Sequence, residues 1–443
     1  MRQQSRRSVL KLSGALLGSL AVGSNVVAAA RTDRFIVETK NASVADLRRA
    51  GLDVAYDLSA TGVAVVEGSE SNLSSVTTAY APDVEIHLET PAVNDAVPAG
   101  ATDEPGYGIQ WDKQSQQIPD VHDVTRGAGT RVAVIDSGVA ADHPDLEAAV
   151  NEDLSRNFTA DDFGSGVPAG GDHGTHVAGI IAGNDANGTG IVGSAPETEI
   201  VDCRVFSTAA GASFADILAA IVYSVEIGCD AANLSLGAYP VPRQEEGQFY
   251  GKVLNKTMTY ANSQGTVLVI SAGNDAADLQ HDGSVISLPN EGAAALSISA
   301  TGPKGFAFDA GDVEEGPESP AFYTNYGTNA IDLGAPGGDA YLPAIESHPN
   351  TWFYDLVYST ISVPEYDENG TYVDSTNSYG WKAGTSMAAP QVAAAVALVR
   401  SLDPDLNADQ VKSRLKQTAS VPDGYDKSYY GAGLLDPLAA VSE

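Results

Sequence analysis

The chain has 443 residues, 43% of them hydrophobic, which is enough for a sizeable core and excludes disorder as the default. Acidic residues number 58 against 24 basic, a formal net charge of −34. Nucleic acid and anionic membrane surfaces both require a basic face, so this balance argues against either as a partner. The acids are dispersed and lysine is rarer than arginine, the pattern of a solvated, salt-adapted surface rather than one acidic binding face.

In chain order, Ser5-Arg6-Arg7-Ser8-Val9-Leu10-Lys11 has a twin-arginine pattern, followed by a weakly apolar stretch ending in Ala28-Ala29-Ala30. This predicts a signal peptide over 1–30, export by the twin-arginine route, and a secreted, extracellular product. Ser13, Ser19, Ser24 and Asn25 make the stretch too polar for a membrane anchor. Residues 31–92 read as strand, helix, two strands around an Ala60-Thr61-Gly62 turn, helix and strand. That order predicts a small α+β domain of ferredoxin-like, split βαβ type. Residues 93–108, with proline, glycine and acids among small residues, read as an exposed linker with a processing site.

From 109 to 443 strand and helix signals alternate. Arg131-Val132-Ala133-Val134-Ile135 is apolar without alternation, as a strand buried on both faces requires. Similar runs occupy 199–206, 230–236, 266–271 and 294–300, with helix patterns at 213–227 and 250–264 between them. The expected fold class is α/β, a doubly wound and mostly parallel sheet, whose chemistry sits at the carboxyl ends of its strands.

Three segments carry that chemistry. Asp136-Ser137-Gly138 ends the first strand, His173-Gly174-Thr175-His176 opens a helix, and Gly384-Thr385-Ser386-Met387-Ala388-Ala389-Pro390 opens an almost wholly apolar one. A serine hydroxyl is a poor nucleophile at neutral pH. An imidazole must take its proton, and a buried carboxylate must orient that imidazole. A helix start disfavours the charged imidazole and so keeps a base neutral until it is needed. His173 and His176 stand at a zinc-like spacing, but no further His or Cys cluster completes a metal site.

In the order Asp, His, Ser these segments resemble the subtilisin-like serine peptidases, the subtilase family, in their secreted, salt-adapted, halolysin-like form. A fourth segment, Ile270-Ser271-Ala272-Gly273-Asn274, extends the resemblance. It implies a serine endopeptidase with Asp136, His173 and Ser386 as triad and His176 as a structural residue. Asn274 and the Ser386 backbone N–H then form the oxyanion hole, where one donor is worth ~3–4 kcal/mol of barrier. Asn233-Leu234-Ser235-Leu236-Gly237 resembles the groove-lining strand, in which Ser235, Leu236 and Gly237 pair an extended polypeptide by β-augmentation. Asp275 is expected near the S1 pocket, which hints at tolerance of basic P1 side chains.

The 31–92 domain resembles the family's propeptide, which assists folding and blocks the cleft as an intramolecular inhibitor until removed. Asn184-Asp185-Ala186-Asn187-Gly188-Thr189-Gly190-Ile191 resembles its strong calcium loop. Asp145, Asp185, Asn187, Thr189 and Ile191 are the implied calcium ligands, with Gln110 a candidate for the remaining one. A solvated turn has the same composition.

The interval from Asn274 to Ser386 is long for the family. It holds two acidic, Pro/Gly-rich stretches, 302–321 and 337–380, expected to be surface insertions near the cleft. Cys203 and Cys229 permit one disulfide, but buried free thiols are the expectation. Two other readings stay open. One is a non-catalytic peptide-binding protein on the same scaffold, which would normally have lost a catalytic side chain. The other is a narrow-specificity processing peptidase or exopeptidase, if the insertions close one end of the groove. A monomer is expected.

Overall fold

Apolar runs without alternation become the interior strands of a parallel sheet. The computed structural model describes residues 30–86, 92–93, 106–207, 212–242, 246–281, 283–306, 315–348 and 350–443. The expected signal peptide (apart from Ala30) and most of the expected linker lie outside the described residues. Across the seven-stranded sheet the order is Leu333–Pro336, Leu296–Thr301, Val267–Ser271, Ala231–Leu234, Arg131–Asp136, Glu199–Arg204 and Arg156–Asn157. Every pairing in it is parallel.

Successive side chains of a strand face opposite ways, and both faces here are covered. Val132, Val134, Val267 and Val269 pack with helices His173–Ala182 and Thr385–Leu402. Ala133, Ile135, Leu268 and Ile270 pack with Phe214–Glu226 and Glu246–Gln264. Burial on two faces explains the absence of alternation. Thr385–Leu402 is buried along residues 385–400, and each Val or Leu so enclosed contributes roughly 1.5–3 kcal/mol. Strand ends at one rim of this sheet carry Asp136 and lead into Asn274.

Residues 30–86 form an antiparallel unit with strand order Asp53–Leu58, Val63–Glu67, Ala30–Glu38, Tyr80–Ile86. Helix Val44–Arg49 begins with a reciprocal Ser43/Asp46 capping box. Alternation splits the sheet's side chains. Phe35, Val37, Ala64 and Val66 pack on Leu47 and Leu73 of the unit's own helices. Ile36, Val63, Val65, Ala81 and Ile86 face the larger unit. The second helix of the unit is short, Glu70–Ser74, and Tyr80 already belongs to the strand that pairs with Ala30–Glu38. Tyr80–Ile86 also pairs with Ala212–Ser213 of the larger unit, Glu85 opposite Ser213 and Ile86 opposite Ala212.

The stretch 337–380 is not simply an acidic surface insertion. It contributes a hairpin, Val357–Tyr366 with Tyr372–Lys382, whose inner half is buried at Val357, Tyr358, Ile361 and Trp381. Ser359 Oγ and Thr360 Oγ1 donate to the carbonyls of His176 and Thr175, at 2.9 and 2.7 Å. Ala92–Val93 pairs with its edge, Ala92 opposite Lys382 and Val93 opposite Trp381. Cys203 and Cys229 are both buried and free. Among the described residues no helix is long and apolar enough to cross a membrane.

Candidate active site

Asp136 is fully buried at the end of strand Arg131–Asp136. Its Oδ1 accepts from Ser137 N at 2.6 Å and faces His173 Nδ1 at 2.8 Å. His173 opens helix His173–Ala182, and the close approach needs Gly174. A Cβ there would lie 3.1 Å from Asp136 Cβ and 2.6 Å from Gly138 O. His176, one turn along, is fully buried with Nε2 3.1 Å from Val357 O. Burial, then the charges of Lys382 and His173, holds its imidazole well below the ordinary range. It is a neutral residue tying helix to hairpin.

Ser386 is the second residue of helix Thr385–Leu402, with Pro390 four residues on. Proline lacks the N–H that would bond the Ser386 carbonyl. Ser235 Oγ donates to that carbonyl instead, at 2.7 Å. Ser386 Oγ in turn donates to Ser235 O at 3.2 Å, while His173 Nε2 has no hydrogen-bond partner. The two side chains are therefore not hydrogen-bonded to each other here, and such bonds often tighten only with substrate present.

Asn274 follows strand Val267–Ser271. Its Oδ1 accepts from Thr385 N and Thr385 Oγ1, both at 2.9 Å, and Thr385 Oγ1 accepts from Gly273 N at 3.0 Å. The amide oxygen is thus held from behind and Nδ2 is turned outward. A Cβ on Gly384 would sit 3.4 Å from Asn274 Nδ2 and 3.6 Å from Ser386 N, so both nitrogens lie beside Gly384.

Ser235 and Leu236 are buried after strand Ala231–Leu234, so with Gly237 they can offer a substrate only backbone groups. Asp275 is anchored by Asn325: its N donates to Asn325 Oδ1 at 2.9 Å, and Asn325 Nδ2 to its Oδ2 at 3.2 Å. Asn325 also accepts from Ala277 N and donates to Ala272 O, both at 2.9 Å. It braces the turn after Asn274, and sequence reasoning missed it. Nothing local marks an asparagine 50 positions away as that brace.

Asp145, Asn187, Thr189 and Ile191 come together. Asn187 Nδ2 and Ile191 N donate to Asp145 at 2.7 and 3.0 Å, and Asn187 Oδ1 accepts from Thr189 N at 2.9 Å. Gln110 braces the loop through both Val192 backbone groups, at 3.0 and 2.9 Å. Asp185 does not join them. It faces His122 at 3.2 Å and Arg126; burial would raise its carboxyl, but these partners hold it at about 2. Asp145 is fully buried and burial pushes its carboxyl up; its oxygens accept from Asn187 and Ile191, donors that a hard cation would have to displace. No three His, Cys, Asp or Glu side chains cluster among the described residues, so carbonyl oxygens would supply the other ligands.

A parallel α/β sheet carrying Asp136, His173, Asn274 and Ser386 at its rim defines a subtilisin-like serine peptidase, a hydrolase. Residues 127–433 match the model of the subtilase family, peptidase S8, and the chain belongs to that family. It is 31% identical over 355 residues to an extracellular protease of Xanthomonas campestris pv. campestris, covering 72% of this chain and 52% of that protein. The chain thus spans about half the length of that relative. A thermophilic serine proteinase of Bacillus sp. (strain AK1) is 31% identical, covering 76% and 67%. The solved epidermin leader peptide processing serine protease (EpiP) of Staphylococcus aureus superposes with TM-score 0.69 at 21% identity, over 92% of this chain and 97% of that one. At that identity the likeness shows the fold alone.

Proposed function

We propose that the protein is a secreted serine endopeptidase, made as a zymogen and adapted to high salt in the manner of halolysins. The carrying observation is the buried Asp136–His173 hydrogen bond on the same rim as Ser386 and the outward Asn274 amide. Asp136 holds the imidazole with Nδ1–H toward itself, leaving Nε2 to accept the Ser386 Oγ proton. The oxygen attacks the substrate carbonyl, whose developing negative charge is met by Asn274 Nδ2 and Ser386 N–H. His173 then returns the proton to the leaving amine, and a water repeats the sequence on the acyl-enzyme. Ser235–Gly237 backbone groups align the polypeptide, with Asp275 near P1.

Residues 31–92 act as inhibitor and folding aid. Their apolar docking face and the Glu85–Ile86 pairing with Ala212–Ser213 support this. Ala92–Val93 pairs with the strand that leads to Ser386, and processing falls in the 93–108 linker that follows. Residues 1–30 direct twin-arginine export. Calcium, held by Asp145, Asn187 and loop carbonyls including Thr189 and Ile191, would neutralise a buried charge and stiffen the loop.

Purified protein and its Ser386→Ala variant, compared in high salt for casein hydrolysis and loss of the N-terminal unit, test the reading. Both activities should vanish in the variant. Hydrolysis that survives the substitution would remove Ser386 from the mechanism.

A further inference from the structure

Asp172 occupies the N-cap position of helix His173–Ala182, yet its side chain caps no helix N–H. An N-cap Asp ordinarily accepts from the amide two or three residues on. Here both its oxygens accept from Lys382 Nζ instead, at 3.0 and 3.1 Å. The pair is enclosed, the lysine side chain 3% exposed and the aspartate 19%. Lys382 closes hairpin strand Tyr372–Lys382, just before the helix that carries Ser386. One ion pair therefore joins the residue preceding His173 to the strand entering Ser386, across 210 positions of chain.

We infer that Lys382 and Asp172 are positioning residues: a latch that sets the spacing of His173 and Ser386, with opposite charges that cancel at the imidazole. The inference rests on the roles proposed above for those two residues. A buried ion pair that loses one partner leaves the other charge uncompensated, and here that charge adjoins His173. Asp136 faces the ring at Nδ1. His176, on the same helix, is kept neutral by burial, and Tyr366, near Asp172 and above all buried, is pushed up to about 12. Near neutral pH the latch is then the pair whose charge the variants below alter.

The test is the pH dependence of kcat/KM on a short peptide for mature wild type, Lys382→Met, Asp172→Asn and the double variant. Lys382→Met leaves Asp172 anionic and should move the acid limb up by about half to one pH unit. Asp172→Asn leaves Lys382 cationic and should move it down by a similar amount, the size of a partly screened unit charge several ångströms away. The double variant should return the limb near wild type. Both single variants should lose roughly tenfold in kcat with KM within about twofold, as displaced reacting groups would. Limbs that move together or stay put, or an unchanged kcat, would overturn the latch. If Lys382→Met fails to fold, Asp172→Asn must still lower the limb and Asp172→Glu must leave it in place. Labelling of Ser386 by a fluorophosphonate separates the two levels: wild type that does not label sinks the peptidase mechanism, whereas variants that label fully with unmoved limbs sink only the latch.

Discussion

Thr385 holds Asn274 by its amide oxygen, donating to it from both backbone N and side-chain Oγ1 at 2.9 Å. The residue before the proposed nucleophile thus fixes the amide of the proposed second oxyanion donor. Asn274→Ala should lower kcat by about 10²–10³ with little change in KM, because the donor acts on charge absent from the ground state. Thr385→Val removes one of two restraints and should lower kcat by roughly tenfold, while Thr385→Ser restores it. Steady-state kinetics on a chromogenic peptide decide it, and an unchanged kcat in Asn274→Ala would refute the assignment.

Gly384 lies beside both Asn274 Nδ2 and Ser386 N. A methyl there would meet no backbone closer than 3.6 Å, so Gly384→Ala should fold. It should nevertheless lose roughly tenfold or more in kcat, since a methyl beside both nitrogens crowds an oxyanion held by them. Equal melting temperatures with unequal kcat are the expected pattern.

The N-terminal unit docks through a buried charge cluster. Arg34 Nη2 lies 2.6 Å from Asp216 Oδ1, Tyr56 OH donates to the same oxygen at 3.1 Å, and Asp83 accepts from Ala215 N at 3.0 Å. Two carboxylates share one guanidinium. Burial first, and Asp83 as well, pushes the Asp216 carboxyl up to about 6 despite Arg34. An exposed Asp titrates near ~3.9, so the docked state binds the proton more tightly. Docking stability from this group is then full below pH ~4 and is lost as pH rises through about 6, roughly 3 kcal/mol at most. Calorimetry of Ser386→Ala protein should show the N-terminal transition falling over that window, with a flatter profile in Asp216→Asn. A transition that rises instead would contradict the sign.

Asp145 is the buried carboxylate that a cation would neutralise. At a calcium concentration 100 times the dissociation constant, binding adds about 2.7 kcal/mol. Thermal melts of Ser386→Ala protein should shift upward with calcium and downward with chelator, and Asp145→Asn should abolish the response while Asp185→Asn keeps it. Equal responses in both variants would exclude the site.

The dispersed net charge of −34 should make stability depend on salt. The screening length falls from about 10 Å at 0.1 M to about 3 Å at 1 M, which removes most self-repulsion between surface acids. Melting temperature should climb across that range. A flat response would remove the salt-adapted reading.

The positions of Asp136, His173, Ser386 and Asn274 at a strand end or helix start were legible because each sits in a short segment of small residues beside an apolar run, while the roles proposed for them rest on the family resemblance. The interior strands were legible for a related reason, since burial on both faces leaves an unbroken apolar run. The hairpin Val357–Tyr366 with Tyr372–Lys382 was not, because acids, Pro364 and polar residues of its exposed half conceal the buried one. Asp185 matched a loop pattern, yet Arg126, 59 positions away, holds it elsewhere. Local sequence determined on which kind of element each candidate residue stands, because backbone propensity and burial periodicity act over a few neighbours. Tertiary structure alone decided their partners: Thr385 behind Asn274, Ser235 on Ser386, Lys382 on Asp172. Those contacts join segments that only the parallel sheet brings to one rim, and pairing across that distance leaves no trace in local composition.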